Sequence, residues 1–166
     1  MEKAYVYKTR LGRFLISVDD DAVTGVELYI EDEKELTNEQ LLMNYEILET
    51  EIMKETVRQL IEYLEGKRKI FDVKINPKGT EFQKKVWEAL RAIPYGETRT
   101  YKQIAEAVGN SKASRAVGMA NNKNPIICII PCHRVIGGNG KLVGFACGLE
   151  VKDQLLRIEN EKYDKK

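Results

Sequence analysis

The chain is poor in several things. Its 166 residues include one histidine, His133, one tryptophan, Trp87, and three cysteines, Cys128, Cys132 and Cys147. No apolar run approaches the ~18–20 residues of a membrane-spanning helix, so no membrane partner is expected. Residues 1–13 carry no apolar core and no cleavage signal, which argues against secretion and for the cytoplasm. The cysteines are odd in number and lie close together in sequence. Without a secretory context they read as free thiols in a reducing cytosol, not as a disulfide framework. One histidine and three cysteines without a C-x2-C spacing do not make a zinc site, so neither a metal nor a cofactor is expected.

What is present is ordinary for a globular chain, 43% hydrophobic and 32% charged, except in where the charge sits. Residues 1–76 hold 11 Lys/Arg against 17 Asp/Glu, a net of −6, while residues 77–166 hold 16 against 9, a net of +7. The overall +1 hides this split. A basic half beside an acidic one points to a polyanion meeting the C-terminal half alone, or to an accident of surface composition.

The patterning supports two domains, 1–76 and 77–166. Residues 4–9, 13–18 and 22–30 are rich in alternating apolar and β-branched side chains, punctuated by Gly12 and Asp19-Asp20-Asp21, and predict an antiparallel meander. Residues 31–49 read as a polar loop with a helical turn. From Glu51 the period becomes helical, with Met53, Val57, Leu60, Ile61 and Leu64 on one face and Gly66 as the stop. Residues 70–75 can return as a strand. Asn76-Pro77-Lys78-Gly79 is the expected linker.

Beyond it, two capping boxes open helices, at Thr80-x-x-Gln83 and Thr100-x-x-Gln103. Pro94 and Gly96 end the first, and Gly109-Asn110 turns the chain after the second. A third helix over about 112–121 directs Ala113, Ala116, Val117 and Ala120 inward. Two short helices about a glycine-containing turn fit a helix-turn-helix and equally a plain helical hairpin. Pro125 begins an extended apolar run, residues 126–130, closed by Pro131. A glycine-rich loop and a last helix over about 150–161 follow, with Val151, Leu155 and Ile158 inward.

Cys132 follows that run and adjoins the sole histidine. A free thiol has a pKa of roughly 8.5 and needs help to ionise near neutrality. His133 can act as its base, and Glu159 on the last helix is the candidate carboxylate to orient the imidazole. Adjacent side chains on a strand point apart, so the spacing alone favours a structural thiol beside a solvent-facing histidine.

The segment Ile130-Pro131-Cys132-His133-Arg134-Val135-Ile136 resembles the active-site signature of the O6-alkylguanine-DNA alkyltransferases. The resemblance continues through Phe82-Gln83-x-x-Val86-Trp87, Ile93-Pro94-Tyr95-Gly96, Tyr101-x-x-Ile104-Ala105, Arg115-Ala116-Val117-Gly118, Asn124-Pro125, the stretch from Gly140 to Leu149, and Leu155-Leu156-x-x-Glu159. It covers about residues 80–160. The N-terminal half matches only in size and strand pattern and lacks the zinc ligands of some relatives.

The resemblance implies a small ribonuclease-H-like α/β domain followed by a mostly helical domain with a helix-turn-helix. It implies single-turnover repair of O6-alkylguanine, with O4-alkylthymine a further candidate, in duplex DNA bound by a monomer through the minor groove. The damaged base is flipped out of the stack and Cys132 takes the alkyl group. Glu159, His133 and a bridging water lower the thiol pKa. Tyr101 assists departure of the guanine, and Arg115 replaces the extruded nucleotide. Lys102, Asn110, Ala113, Ser114 and Gly118 join Arg115 at the DNA surface. Asn124, Val135, Phe145, Ala146 and Cys147 shape the pocket. Cys147 departs from the glycine or bulky residue usual there. Two rivals remain open on the residues alone: a cysteine hydrolase, which leaves the helix-turn-helix unused, and a DNA-binding regulator, which leaves Cys132 unused.

Overall fold

The computed structural model describes residues 1–30, 38–142, 144, 145 and 147–163, with residues 38–40 as backbone only. Two compact units emerge: Met1–Lys78 with Pro125–Ile127, and Gly79–Asn124 with the chain from Cys128 onward.

The first unit is a four-stranded sheet in the order β3-β2-β1-β4, with β1 at Lys3–Lys8, β2 at Arg13–Asp19, β3 at Ala22–Tyr29 and β4 at Glu46–Ile47. The first three strands form the expected meander; β4 adds in parallel to the start of β1. Gly12 closes the β1–β2 turn at φ 148°, where a Cβ would stand 2.8 Å from the Tyr29 carbonyl oxygen, so a side chain there meets both strain and a clash. Helix α1 is Asn38–Asn44 and α2 is Glu51–Leu64.

Helix α2 packs on β2 and β3 and buries Met53, Val57, Leu60 and Leu64. Ile61 is exposed, contrary to expectation; Thr56, Gln59 and Tyr63 take buried positions instead. Nor do residues 70–75 form a strand. Gln59 accepts from the Asp72 backbone N–H at 2.8 Å and donates to the Asp72 carbonyl at 3.1 Å, so a side chain satisfies the groups a ladder would use. A single parallel bridge, Val23 to Ile75, is all that remains of the pairing.

The second unit is mostly helical: α3 at Glu81–Arg91, α4 at Tyr101–Ala107, α5 at Ser114–Asn122 and α6 at Leu149–Glu159, with a two-residue parallel pair of β5, Arg99–Thr100, and β6, Val135–Ile136. Both capping boxes form in full, at Thr80 and at Thr100. The Trp87 indole N–H donates to the Ala120 carbonyl at 2.9 Å and ties α3 to α5. Helices α4 and α5 pack together about the turn at Gly109, which adopts φ 87°. Ala116 faces outward rather than inward; Val117, Ala120 and Asn121 fill the inner face. On α6 the buried residues are Val151, Lys152, Leu155, Leu156 and Glu159, and Ile158 is only half-buried.

The apolar run before Cys132 also departs from expectation. Only Ile126 is bridged, in parallel to Val26. Residues 127–130 turn, and Cys128 adopts φ 68°. A run of β-branched residues fits any fully buried backbone, so its composition does not by itself specify a strand. No helix among the described residues is long and apolar enough to cross a membrane.

Candidate active site

The site forms within the second unit where three short pieces converge. Asn124 follows α5 and donates its side-chain amide to the Ile130 carbonyl at 2.7 Å, clamping the turn before the cysteine. Asn121, on the last turn of α5, donates to the Cys132 carbonyl at 3.3 Å. Cys132, His133 and Arg134 then form one turn of 3-10 helix, closed by the Arg134 N–H donating to the Pro131 carbonyl at 3.0 Å. Cys132 therefore does not end a strand.

Helix α6 packs on this turn and brings Glu159 to it. His133 Nε2 lies 2.5 Å from Glu159 Oε2, with both side chains buried. Arg134 donates Nε to Oε1 of the same carboxylate at 2.8 Å and Nη2 to Oε2 at 3.1 Å. Its Nη1 donates to the Ile93 carbonyl at 2.7 Å. The Gly96 N–H donates to Oε1 at 3.1 Å. Burial pushes the Glu159 carboxyl up, but the bonds and charges of His133 and Arg134 outweigh it and hold the pKa at about 2. The carboxylate is thus ionised and orients the imidazole through Nε2.

Burial pushes His133 down; the hydrogen bond and charge of Glu159 oppose this, and the positive charges of Arg134 and Lys152 add to it. A neutral imidazole donating Nε2–H to Glu159 has its lone pair on Nδ1 and can take a proton there. Cys132 is buried, and desolvation drives its thiol up to about 12; the Asn124 hydrogen bond and the charge of Lys152 pull the other way.

The remaining predicted residues fall into two groups. Tyr101 opens α4, half-buried, and its hydroxyl donates to the Gly144 carbonyl at 3.4 Å. Val135 is buried in β6. Phe145 and Cys147 are half-buried in the loop before α6, and Cys147 interacts electrostatically with Cys132. Ala146 lies outside the described residues. The second group lies on the helix-turn-helix: Lys102, Asn110 and Arg115 are exposed, whereas Ala113, Ser114 and Gly118 are half-buried. Gly118 faces the Tyr101 ring, where a Cβ would meet ring carbons at 3.8 Å.

Three contributors were not singled out from sequence. Asn121 and Arg134 act through partners distant along the chain. Lys152 is wholly buried on α6. Its spacing from Leu155, Leu156 and Glu159, at three, four and seven residues, was the available signal, since it places a lysine within the inward stripe.

Comparison with known proteins places these features in one context. Residues 81–161 match the family profile "6-O-methylguanine DNA methyltransferase, DNA binding domain", and residues 3–77 match its ribonuclease-like domain. A methylated-DNA–protein-cysteine methyltransferase of Methanosarcina acetivorans is 49% identical over 93% of this chain and 96% of its own. The constitutive enzyme of that name from Bacillus subtilis is 44% identical over 96% of each chain. The crystal structure of Mycobacterium tuberculosis OGT in complex with DNA superposes with a TM-score of 0.84 at 35% identity, covering 96% of this chain and 93% of that one.

Proposed function

Since the chain belongs to the 6-O-methylguanine DNA methyltransferase family, we propose that Cys132 is the thiol it alkylates and that His133, Glu159 and Tyr101 serve that transfer. The reaction is DNA repair by alkyl transfer to a cysteine of the repair protein itself. In this chain the thiol proton passes to His133 through one bridging water, and Glu159 holds the resulting imidazolium. The sulfur attacks the carbon on guanine O6; the S–C bond forms as the C–O bond breaks, and the electron pair remains with the base. Tyr101 supplies the proton that neutralises the departing guanine. A thioether has no release step here, so each molecule acts once.

The DNA partner meets the helix-turn-helix. Ala113, Ser114, Ala116 and Gly118 give α5 a surface of small residues, which suits close approach along the minor groove. That groove is informationally degenerate, as repair at any sequence requires. Arg115 fills the space of the extruded nucleotide, and Lys102 and Asn110 contact the backbone. Asn124, Val135, Phe145 and Cys147 line the base pocket. The protein works as a monomer.

The observation that carries this reading is the buried His133–Glu159–Arg134 cluster built on the turn that holds Cys132. The test is peptide mass spectrometry after exposure to duplex DNA containing O6-methylguanine. The Cys132 peptide gains one methyl in place of hydrogen, and Cys132→Ser gains none while still binding the lesion. Methyl found on Cys128 or Cys147 instead would overturn the assignment.

A further inference from the structure

The end of α5 runs alongside the turn that holds Cys132. Asn124 donates to the Ile130 carbonyl at 2.7 Å and Asn121 to the Cys132 carbonyl at 3.3 Å. Asn122, between them, comes near the Tyr101 hydroxyl. A Cβ on Gly144 would stand 3.4 Å from that hydroxyl and 3.9 Å from both heteroatoms of the Asn122 amide. A base that presents its O6 substituent to Cys132 and meets Tyr101 as it leaves therefore lies beside this part of the helix.

Asn121 is 2% exposed. Its Nδ2 is bonded to the Cys132 carbonyl, while its Oδ1 is buried and accepts from no donor among the described residues. Nearby donors have acceptors of their own. The Cys132 N–H goes to the Ile130 carbonyl at 2.8 Å, the Arg134 N–H to the Pro131 carbonyl at 3.0 Å and the Trp87 indole to the Ala120 carbonyl at 2.9 Å. The opposite orientation of the Asn121 amide would set two oxygens against each other, so the Cys132 carbonyl fixes which atom is left over. An amide's oxygen and nitrogen stand about 2.3 Å apart, which keeps Oδ1 within ~6 Å of the Cys132 carbonyl oxygen. A buried acceptor left unpaired costs stability. One kept beside the nucleophile points to a donor that arrives with the substrate.

We propose that Asn121 is a specificity-determining residue whose Oδ1 accepts from the exocyclic 2-amino group of the extruded guanine. The proposal rests on the reading of Cys132 as the alkyl acceptor for O6-alkylguanine. An extruded base is read through its pairing edge. Alkylation at O6 removes the proton from N1, so that edge carries one donor group, the 2-amino group. An amide oxygen only accepts and matches it. O4-alkylthymine has lost its N3 proton and offers no donor on the same edge. Adenine and cytosine hold their amines where guanine holds its O6 substituent, facing the thiol instead. A base without the donor leaves Oδ1 unpaired and forfeits the bond, which is how one buried acceptor discriminates. Asn121 takes no part in the proton and alkyl movements.

The test compares two free bases that differ only in this group, O6-benzylguanine and O6-benzylhypoxanthine. Benzyl transfer to Cys132 is timed by peptide mass spectrometry in the full chain, for wild type, Asn121→Leu and Asn121→Asp. Wild type should favour the guanine by about tenfold or more. Asn121→Leu should cut that ratio by about fivefold or more, and Asn121→Asp, which keeps an acceptor, should hold it within about twofold. Loss of the bond to the Cys132 carbonyl slows both bases alike and cancels in the ratio. No preference in wild type, an unchanged ratio in Asn121→Leu, or an equal collapse in Asn121→Asp overturns the proposal. If Asn121→Leu does not fold, Asn121→Ala is measured in its place, and failure of both to fold makes the asparagine structural and also overturns it. Failure of the wild type to take benzyl from either base and methyl from an O6-methylguanine duplex would instead remove the proposed function, and this reading with it.

Discussion

At Glu159 the imidazole of His133, the guanidinium of Arg134 and the Gly96 backbone N–H meet one carboxylate. This residue therefore has two duties, orienting an imidazole and balancing a buried guanidinium. Glu159→Gln keeps the shape and removes the charge. Transfer should slow, and folding stability should fall by about 3–5 kcal/mol, since Arg134 is left buried without a counter-charge. Equilibrium urea denaturation and single-turnover transfer read the two effects separately. Unchanged stability would show that Arg134 finds its balance elsewhere. The pH dependence carries a sign. A carboxyl held at about 2 against an ordinary 4.5 contributes stability that is complete above the ordinary value and is lost as pH falls toward the lower one. Wild type should therefore lose stability through that acid window, and Glu159→Gln should show a flatter profile there.

The proposed function gives helices α4 and α5 the task of opening DNA. Arg115 is exposed on α5, while Tyr101 at the first turn of α4 faces the loop before α6. Arg115→Ala should slow repair of a lesion in duplex DNA far more than reaction with free O6-benzylguanine, which needs no flipping. Equal losses in the two rates would show that Arg115 supports the fold or the pocket. Helices α3 and α4 were legible in sequence because a capping box writes both partners within four residues, Thr80 with Gln83 and Thr100 with Gln103. The meander was legible for the same reason: its alternation and turns are local. Residues 126–130 were not, because an apolar β-branched run marks burial without distinguishing strand from turn, and the left-handed backbone at Cys128 is not a preference of cysteine. Residues 70–75 lost their strand to the side chain of Gln59, thirteen residues away. The pairing of His133 with Glu159 could be suggested but not located from sequence, and the second partner, Arg134, was hidden inside a motif that named it without giving its task.

Across the whole molecule, charge is divided along the chain, with a net of +7 over residues 77–166. Lys112 is exposed in the turn before α5; DNA affinity should fall linearly with salt on logarithmic axes, and Lys102→Ala or Lys112→Ala should each lower the slope by about one without altering sequence preference. Fluorescence anisotropy with duplexes of different sequence measures both. A slope that ignores either lysine would place the phosphates elsewhere. Another property follows from the way the chain is threaded. Pro125–Ile127 belongs with the first unit, where Val26 donates to the Pro125 carbonyl at 2.8 Å and Ile127 donates to the Val26 carbonyl at 3.2 Å. Chain on both sides of these three residues belongs to the second unit. On the ribosome the meander emerges first, and domains generally fold as units in order of synthesis. The edge of β3 therefore exists before residues 125–127 have been made, so these three residues should be the last piece of the first unit to dock.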